Sequence, residues 1–318
     1  MNTGVFRLAR LPTLAVWPTR LLIWLIICTI FEINSYAQSV QVITKIIDKE
    51  LPYIEHQPVL LTAQKADITI KGWARPTISV RLRLIAKHPD RATAERELAY
   101  HQYTLQSVDG QVDLSNRFVI PQSVGKLRSQ LKAVYEISLP AKAFLTVTNS
   151  FGDINLANLD GNTNVTFDFG KLTLDDIRGK LTIKSDYGDI DGRGLDAILN
   201  VKAEKAEITL QDVSGNVTLQ TSFGKLTLLP TLTLDALNVD ATRTDILVAT
   251  KRLTDFWFDV TSLGADIRVP ENFADQLVKA KNKQTFRYQP SVKKPEIVIQ
   301  NRYSPIVIQG EKPLVDRR

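Results

Sequence analysis

The sequence predicts an all-β protein: a β-solenoid (β-helix-like) of coils about 18–20 residues long, preceded by a β-rich cap that carries one short helix. Three observations carry this reading. The segment Leu145-Thr-Val-Thr-Asn-Ser-Phe-Gly-Asp-Ile-Asn-Leu156 returns as Thr163-Asn-Val-Thr-Phe-Asp-Phe-Gly-Lys-Leu-Thr-Leu174, then as Leu181-Thr-Ile-Lys-Ser-Asp-Tyr-Gly-Asp-Ile190. An aromatic-glycine pair recurs at Phe151-Gly152, Phe169-Gly170, Tyr187-Gly188 and Phe223-Gly224. Apolar and polar residues alternate with period two between these corners. Repeats of this length read as stacked coils rather than as a globular pocket.

The chain of 318 residues opens on a segment to be set aside, 1–37. Arg7, Arg10 and Arg20 precede an apolar run, 21–31, and Ser35-Tyr36-Ala37 is a small-x-small cleavage pattern. That order reads as a secretory signal peptide. The apolar run is too short to cross about 30 Å of hydrocarbon as an anchor. Cys28 follows the bulky Ile27, which argues against a lipoprotein, and it is the chain's one cysteine. After cleavage no thiol remains, so stability must come from packing and hydrogen bonds. Removing three basic and one acidic residue from 40 and 34 leaves a net charge of +4, which is no nucleic-acid signature. No second apolar run offers a membrane anchor.

Residues 38–144 form the expected cap. Ala66-Asp-Ile-Thr-Ile-Lys-Gly-Trp73 and Thr77-Ile-Ser-Val-Arg-Leu-Arg-Leu-Ile85 alternate around the turn Ala74-Arg75-Pro76, which predicts a hairpin with one wet face. Asp90 is a fair N-cap for a helix over 91–100. Asp109-Gly110 predicts a second hairpin, between strands 103–108 and 111–119. Val134-Tyr-Glu-Ile-Ser-Leu139 alternates once more and stops at Pro140.

The coils are expected over 145–270. Leu145, Val147, Ile154, Leu156 and Leu159 point inward in the first. Val165, Leu172, Leu174 and Ile177 fill the same slots in the next, and Val201, Ile208, Leu210, Val217, Leu219, Leu226 and Leu228 follow. The residue after each corner glycine is Asp153, Lys171 and Asp189 in turn, with Glu207 and Lys225 later in that slot. Coils about 4.8 Å apart would set mostly opposite charges side by side there. The pattern weakens after Val239. Residues 271–318 read as a basic loop carrying Lys279, Lys281, Lys283, Arg287, Lys293 and Lys294, then one last coil over 296–308 that caps the stack, with Tyr303 in the aromatic slot.

The run Ile68-Thr-Ile-Lys-Gly-Trp73, the stretch Tyr135-Glu-Ile-Ser-Leu-Pro140 and the corner Asn149-Ser-Phe-Gly-Asp-Ile154, in that order, resemble the bacterial "putative adhesin" family of exported β-solenoid proteins, over roughly residues 65–310. The resemblance implies a β-helix-like fold and an envelope or extracellular place. It attaches no catalytic residue.

The candidate ligand-binding feature is the aromatic ladder Phe151, Phe169, Tyr187 and Phe223. Such rings could stack on sugars. The reading preferred from the sequence is that each ring lies at a corner and packs on the next. The acids Asp153, Asp160, Asp175, Asp176, Asp186, Asp189 and Asp191 invite calcium, but the nonapeptide of calcium β-rolls is absent and Asp-Gly reads as a turn. His56, His88 and His101 lie outside the coils without metal-ligand spacing. Short corners leave little room for the cleft of a polysaccharide lyase or hydrolase. The expectation is a secreted, periplasmic or envelope-associated protein without cofactor, metal or catalytic activity. Its expected partner is a cell-surface glycan or another envelope protein. A polysaccharide-active enzyme and a structural or regulatory envelope component are the alternatives.

Overall fold

The computed structural model describes residues 39–310. The segment 1–37, read as a signal peptide, and Cys28 within it lie outside the described residues.

In chain order the elements are β1 (Gln41–Pro52), β2 (Pro58–Ala63), β3 (Ala66–Trp73), β4 (Thr77–His88), α1 (Arg91–Leu98), β5 (His101–Val108), β6 (Gln111–Phe118), β7 (Gln130–Pro140), β8 (Phe144–Phe151) and β9 (Ile154–Leu159). Two long bent runs follow, β10 (Asn162–Glu204) and β11 (Glu207–Thr250). The last elements are β12 (Trp257–Leu263), β13 (Ile267–Arg268), β14 (Leu277–Ala280), β15 (Lys283–Tyr288), β16 (Glu296–Arg302) and β17 (Ile306–Gly310).

The predicted register is present as backbone pairing. Val147 pairs with Val165, Ile154 with Leu172, Ile190 with Ile208 and Val201 with Leu219, all parallel and each exactly one repeat further along the chain. Each rung therefore lends its N–H and C=O groups to the next. The inward chains named from the sequence are buried, and they join one continuous apolar core from Leu51 to Ile308. Bulk is balanced between rungs. Phe167 fills an inner corner where its neighbours carry Asn149 and Ser185, and Gly188 leaves the room, since a Cβ there would lie 2.1 Å from the Phe167 ring.

Asp153, Lys171 and Asp189 lie side by side as expected, and the two carboxylates help hold the Lys171 pKa above its ordinary value after the larger effect of Asp191, but the slot does more than pair charges. Asp153 Oδ1 accepts the backbone N–H of Lys171 at 2.9 Å, and Asp189 Oδ1 accepts that of Glu207 at 2.8 Å. Lys171 Nζ turns aside to Asp191 at 2.9 Å. The carboxylates in this slot thus satisfy donors that the corner would otherwise leave unpaired.

The cap departs from the sequence reading in two ways. Residues 58–73, read as outside the repeat, form a rung in register with the coils. Val59 pairs with Leu145 and Ile68 with Ile154, both parallel. The segment 74–143 interrupts the repeat, and its length hid the first member. The expected hairpin of β3 and β4 also fails: β7 lies between them, parallel to β3 and antiparallel to β4. Tyr135 of β7 pairs with Ile68 on one side and Leu82 on the other, fully buried. β1 closes that side on β4, and β5–β6 lies on β2 as the Asp109-Gly110 hairpin predicted. The helix starts where expected, with Asp90 accepting the Thr93 N–H at 2.9 Å. Glu97 then accepts backbone N–H groups of Arg128 and Ser129, which ties down the loop before β7.

The far end corrects the order of the last coils. β16 and β17 are last in sequence but not in space. Leu237 and Phe258 both pair with Ile297, so β16 sits between the end of β11 and β12. The basic segment read as a loop holds β14 and β15, and β15 runs antiparallel to β12. An antiparallel hairpin therefore covers the end in place of the 296–308 coil. Its outer strand, β14, is short and carries Lys279, which suits an edge that must not recruit further strands.

Two outcomes test this packing. Ile190→Asp puts an unpaired carboxylate at a site 1% exposed and should cost several kcal/mol, about 3 or more, whereas Asp191→Asn loses one exposed ion pair and should cost under about 1 kcal/mol. Equal denaturation midpoints for the two would contradict the register. His101 is buried edge-on against Phe118, and burial holds its pKa below the ordinary histidine value of about 6.5. Protonation then favours the unfolded chain. Stability should be full above pH of about 6.5 and fall as pH drops below it. His101→Asn should flatten that part of the melting-temperature profile.

Candidate functional site

From the rung of Phe151 to that of Tyr303, one corner projects a side chain into a single exposed column. Its members are Phe151, Phe169, Tyr187, Lys205, Phe223, Arg243 and Tyr303. Phe151 and Phe169 stack with centroids 5.0 Å apart and planes 4° apart; Phe169 and Tyr187 stack at 5.1 Å and 9°. Lys205 Nζ lies 4.5 Å from the Tyr187 ring centre and donates to its hydroxyl at 3.0 Å. Arg243 lies over Phe223 at 5.4 Å and over Tyr303 at 5.7 Å. The sequence reading found the aromatic members and the ring-on-ring contact. It missed that Lys205 and Arg243 occupy the same column.

Backbone geometry explains the corner. Where Gly follows the ring it can take the left-handed turn, as Gly152 does with φ 111°, and a Cβ there would meet Ala66 O at 2.2 Å. At Lys205, Phe223, Arg243 and Tyr303 the column residue itself is left-handed, with φ from 49° to 67°. The strain of a non-glycine residue there is met by contacts around it. Two residues before the ring, a polar side chain turns inward to hold the bend. Asn149 Nδ2 donates to Ala66 O and Gly152 O at 2.8 and 3.3 Å, Ser185 Oγ to Gly188 O at 3.1 Å, and Asn301 Nδ2 to Thr244 O and Ser304 O at 2.8 and 2.9 Å. These residues were not singled out from the sequence. The signal was there: each is polar on an otherwise apolar inward parity.

The column changes what the ladder can bind. Both faces of Phe169 are covered by Phe151 and Tyr187, so a sugar cannot stack on them. The ridge presents ring edges and two cations. Beside it, on the outward face of the strands leading to the corner, runs a polar groove. A cavity of 520 Å³ is lined by Lys184, Asp186, Lys202, Glu204, Gln220 and Arg302 among others. A second of 190 Å³, with Thr218, Asn238 and Gln300, shares Gln220 and Asp240 with it. Arg302 is held by Asp240 at 3.0 Å, and Ser222 donates to Glu204 at 3.4 Å. Donors and acceptors of both signs thus alternate across the rungs.

Of the acids considered for a metal, Asp153, Asp189 and Asp191 lie around the Lys171 ammonium. Asp153 and Asp189 accept backbone N–H groups, Asp191 pairs with Lys171, and Asp176 pairs with Arg178 at 3.2 Å. Among the described residues no three His, Cys, Asp or Glu side chains converge. His88 Nδ1 accepts the Asp90 N–H at 2.9 Å, and His56 lies against Phe144.

A double-mutant cycle on Phe169 and Tyr187 should give a coupling of about 0.5–1.5 kcal/mol in denaturant unfolding. Additive losses on truncating the two rings would show that the stack adds nothing.

Comparison with known proteins bears on most of the chain. A crystal structure of a "putative cell adhesion protein" from Clostridium sporogenes is 13% identical, covers 85% of this chain and 100% of its own, and superposes with a TM-score of 0.27. One of a "putative adhesin" from Bacteroides fragilis is 12% identical, with 84% and 97% covered and a TM-score of 0.29. No curated protein matches. The family described as Toastrack DUF4097 matches over residues 59–294, a span that runs from β2 to β15. That span is most of the chain, and the chain belongs to the Toastrack DUF4097 family.

Proposed function

We propose that this protein is an exported, non-catalytic β-solenoid of the cell envelope or surface that holds an extended, hydroxyl-rich polymer, a glycan before a peptide, in the groove beside its aromatic–cation ridge. The observation that carries this is the repetition of the groove. The rows Lys184, Lys202, Gln220 and Asp240, and Asp186, Glu204, Ser222 and Thr242, place similar hydrogen-bonding groups on successive rungs about 4.8 Å apart. A ligand that itself repeats can meet such rows many times with weak contacts, and linked weak contacts sum to useful avidity. The groove is mixed in charge, which favours hydroxyl-rich over strongly charged polymers.

Binding without turnover fits the carboxylates. Acid–base catalysis on a glycan needs two carboxyl groups facing each other across the bond to be cleaved. Of the groove's own acids, Asp240 is held by Arg302 at 3.0 Å and Glu204 accepts from Ser222 at 3.4 Å. Placement in the envelope rests on the signal-like segment at 1–37 and on the family resemblance.

The test is a glycan array with the chain lacking 1–37, followed by titration of the best ligand. Gln220→Trp fills the groove at an exposed position and should weaken binding about tenfold or more at unchanged melting temperature. No new reducing ends or unsaturated products should form. Turnover that disappears in Asp175→Asn or Asp176→Asn would overturn this reading in favour of the enzyme. Binding indifferent to Gln220→Trp would move the site elsewhere.

A further inference from the structure

A second corner of the rungs carries a defect that opens a pocket. That corner is turned by left-handed residues that recur once per repeat: Asn158 with φ 56°, Asp176 with 49°, Gly194 with 64° and Asp212 with 51°. The next position in the series is Pro230. Proline is locked near φ of about −65° and cannot make the turn. The chain takes two extra residues there instead, because the following rung is offset by 20, as the contact of Phe223 with Arg243 shows. Thr231 Oγ1 steadies the detour by donating to Val213 O at 3.1 Å.

Under the detour lies a cavity of 620 Å³, within the range of about 300–1,000 Å³ usual for small-molecule sites. Leu229, Pro230, Leu232, Ala249 and Phe256 give it apolar walls. Phe256 is 2% exposed, whereas Leu232 is 61% exposed, an apolar side chain left in water at the rim. The two carboxylates on the wall already have cations. Asp255 takes Arg252 at 2.9 Å and Lys294 at 3.6 Å, and Asp212 takes Arg193 at 3.5 Å. Lys251 lines the same cavity, exposed, with no acidic partner among the described residues. The site therefore combines an apolar slot with one uncompensated positive charge.

We propose that this pocket binds an anionic single-chain amphiphile of the fatty-acid class, with its alkyl chain against Leu229, Leu232, Ala249 and Phe256 and its head group at Lys251. Burial of the alkyl chain drives binding, and the ammonium sets the preference for a carboxylate. The pocket lies at a different corner from the polymer groove and does not depend on it.

The experiment is calorimetric titration of the full chain with dodecanoate below its micelle concentration, with dodecanol as the uncharged control. A parallel arm measures sedimentation with phosphatidylglycerol vesicles. The expected result is saturable, one-to-one binding of dodecanoate. Leu232→Asp and Ala249→Trp should each weaken it about tenfold or more, and Lys251→Glu should remove the preference for dodecanoate over dodecanol. Leu232 and Lys251 are exposed, so their variants test the site even if Ala249→Trp folds poorly. Saturable dodecanoate binding without vesicle capture identifies a free fatty acid as the ligand; both together identify lipid acyl chains. No saturable binding, equal affinity in Leu232→Asp, or vesicle capture alone would overturn the proposal.

Discussion

A rung of this protein cannot satisfy its own backbone; only the next rung can. Parallel strands one repeat apart exchange N–H and C=O groups along β8 to β11, and each other feature is a consequence of keeping that offset. Corners must recur at the same place, so a few left-handed residues recur with them. Side chains at equal places must stack on each other, so an aromatic at one corner becomes a ridge. A single position that cannot obey, Pro230, leaves a bulge and a cavity. The two candidate surfaces are thus products of the repetition and of its local interruption at Pro230.

Parallel pairing also creates the problem of two open ends, and at both the outermost strands are antiparallel. At one end β7 and β6 extend β3 and β2 in parallel, and antiparallel strands lie beyond them, β4 and then β1 on β7 and β5 on β6. At the other, β15 and β14 cover β12. An antiparallel strand can cover an edge without presenting another parallel template, and lysines on β1 and β14 discourage further addition. Lys49 of β1 is drawn onto Leu105 O at 2.6 Å, and Lys45 lies over the Tyr103 ring, so these lysines also link the two covering layers.

Much of this was legible because the alternation along a strand and the return of each coil are both written in residue types. Leu, Val and Ile mark the inward slots, and Phe-Gly marks the ridge corner. Asp90 and Asp109-Gly110 announce their helix cap and hairpin directly. What failed depends on long-range order. The first rung is separated from the second by the insertion 74–143, and nothing in β3 itself says that its neighbour is β7. The insertion of β16 between β11 and β12 is a choice among similar apolar strands that local pattern does not encode. At the site, Lys205 and Arg243 were hidden because the slot was defined by aromatic residues, while a long cation lying over a ring fills the same place. The buried Asn149, Ser185 and Asn301 could have been found as breaks in apolar parity.

The most direct measurement of the stacking is the set of amide–amide nuclear Overhauser contacts in a deuterated sample. The account predicts contacts from Leu199 to Val217 and from Val201 to Leu219, and from Ile297 to both Leu237 and Phe258. Contacts of Leu199 or Val201 at any other offset, or a direct contact between Leu237 and Phe258, would contradict it.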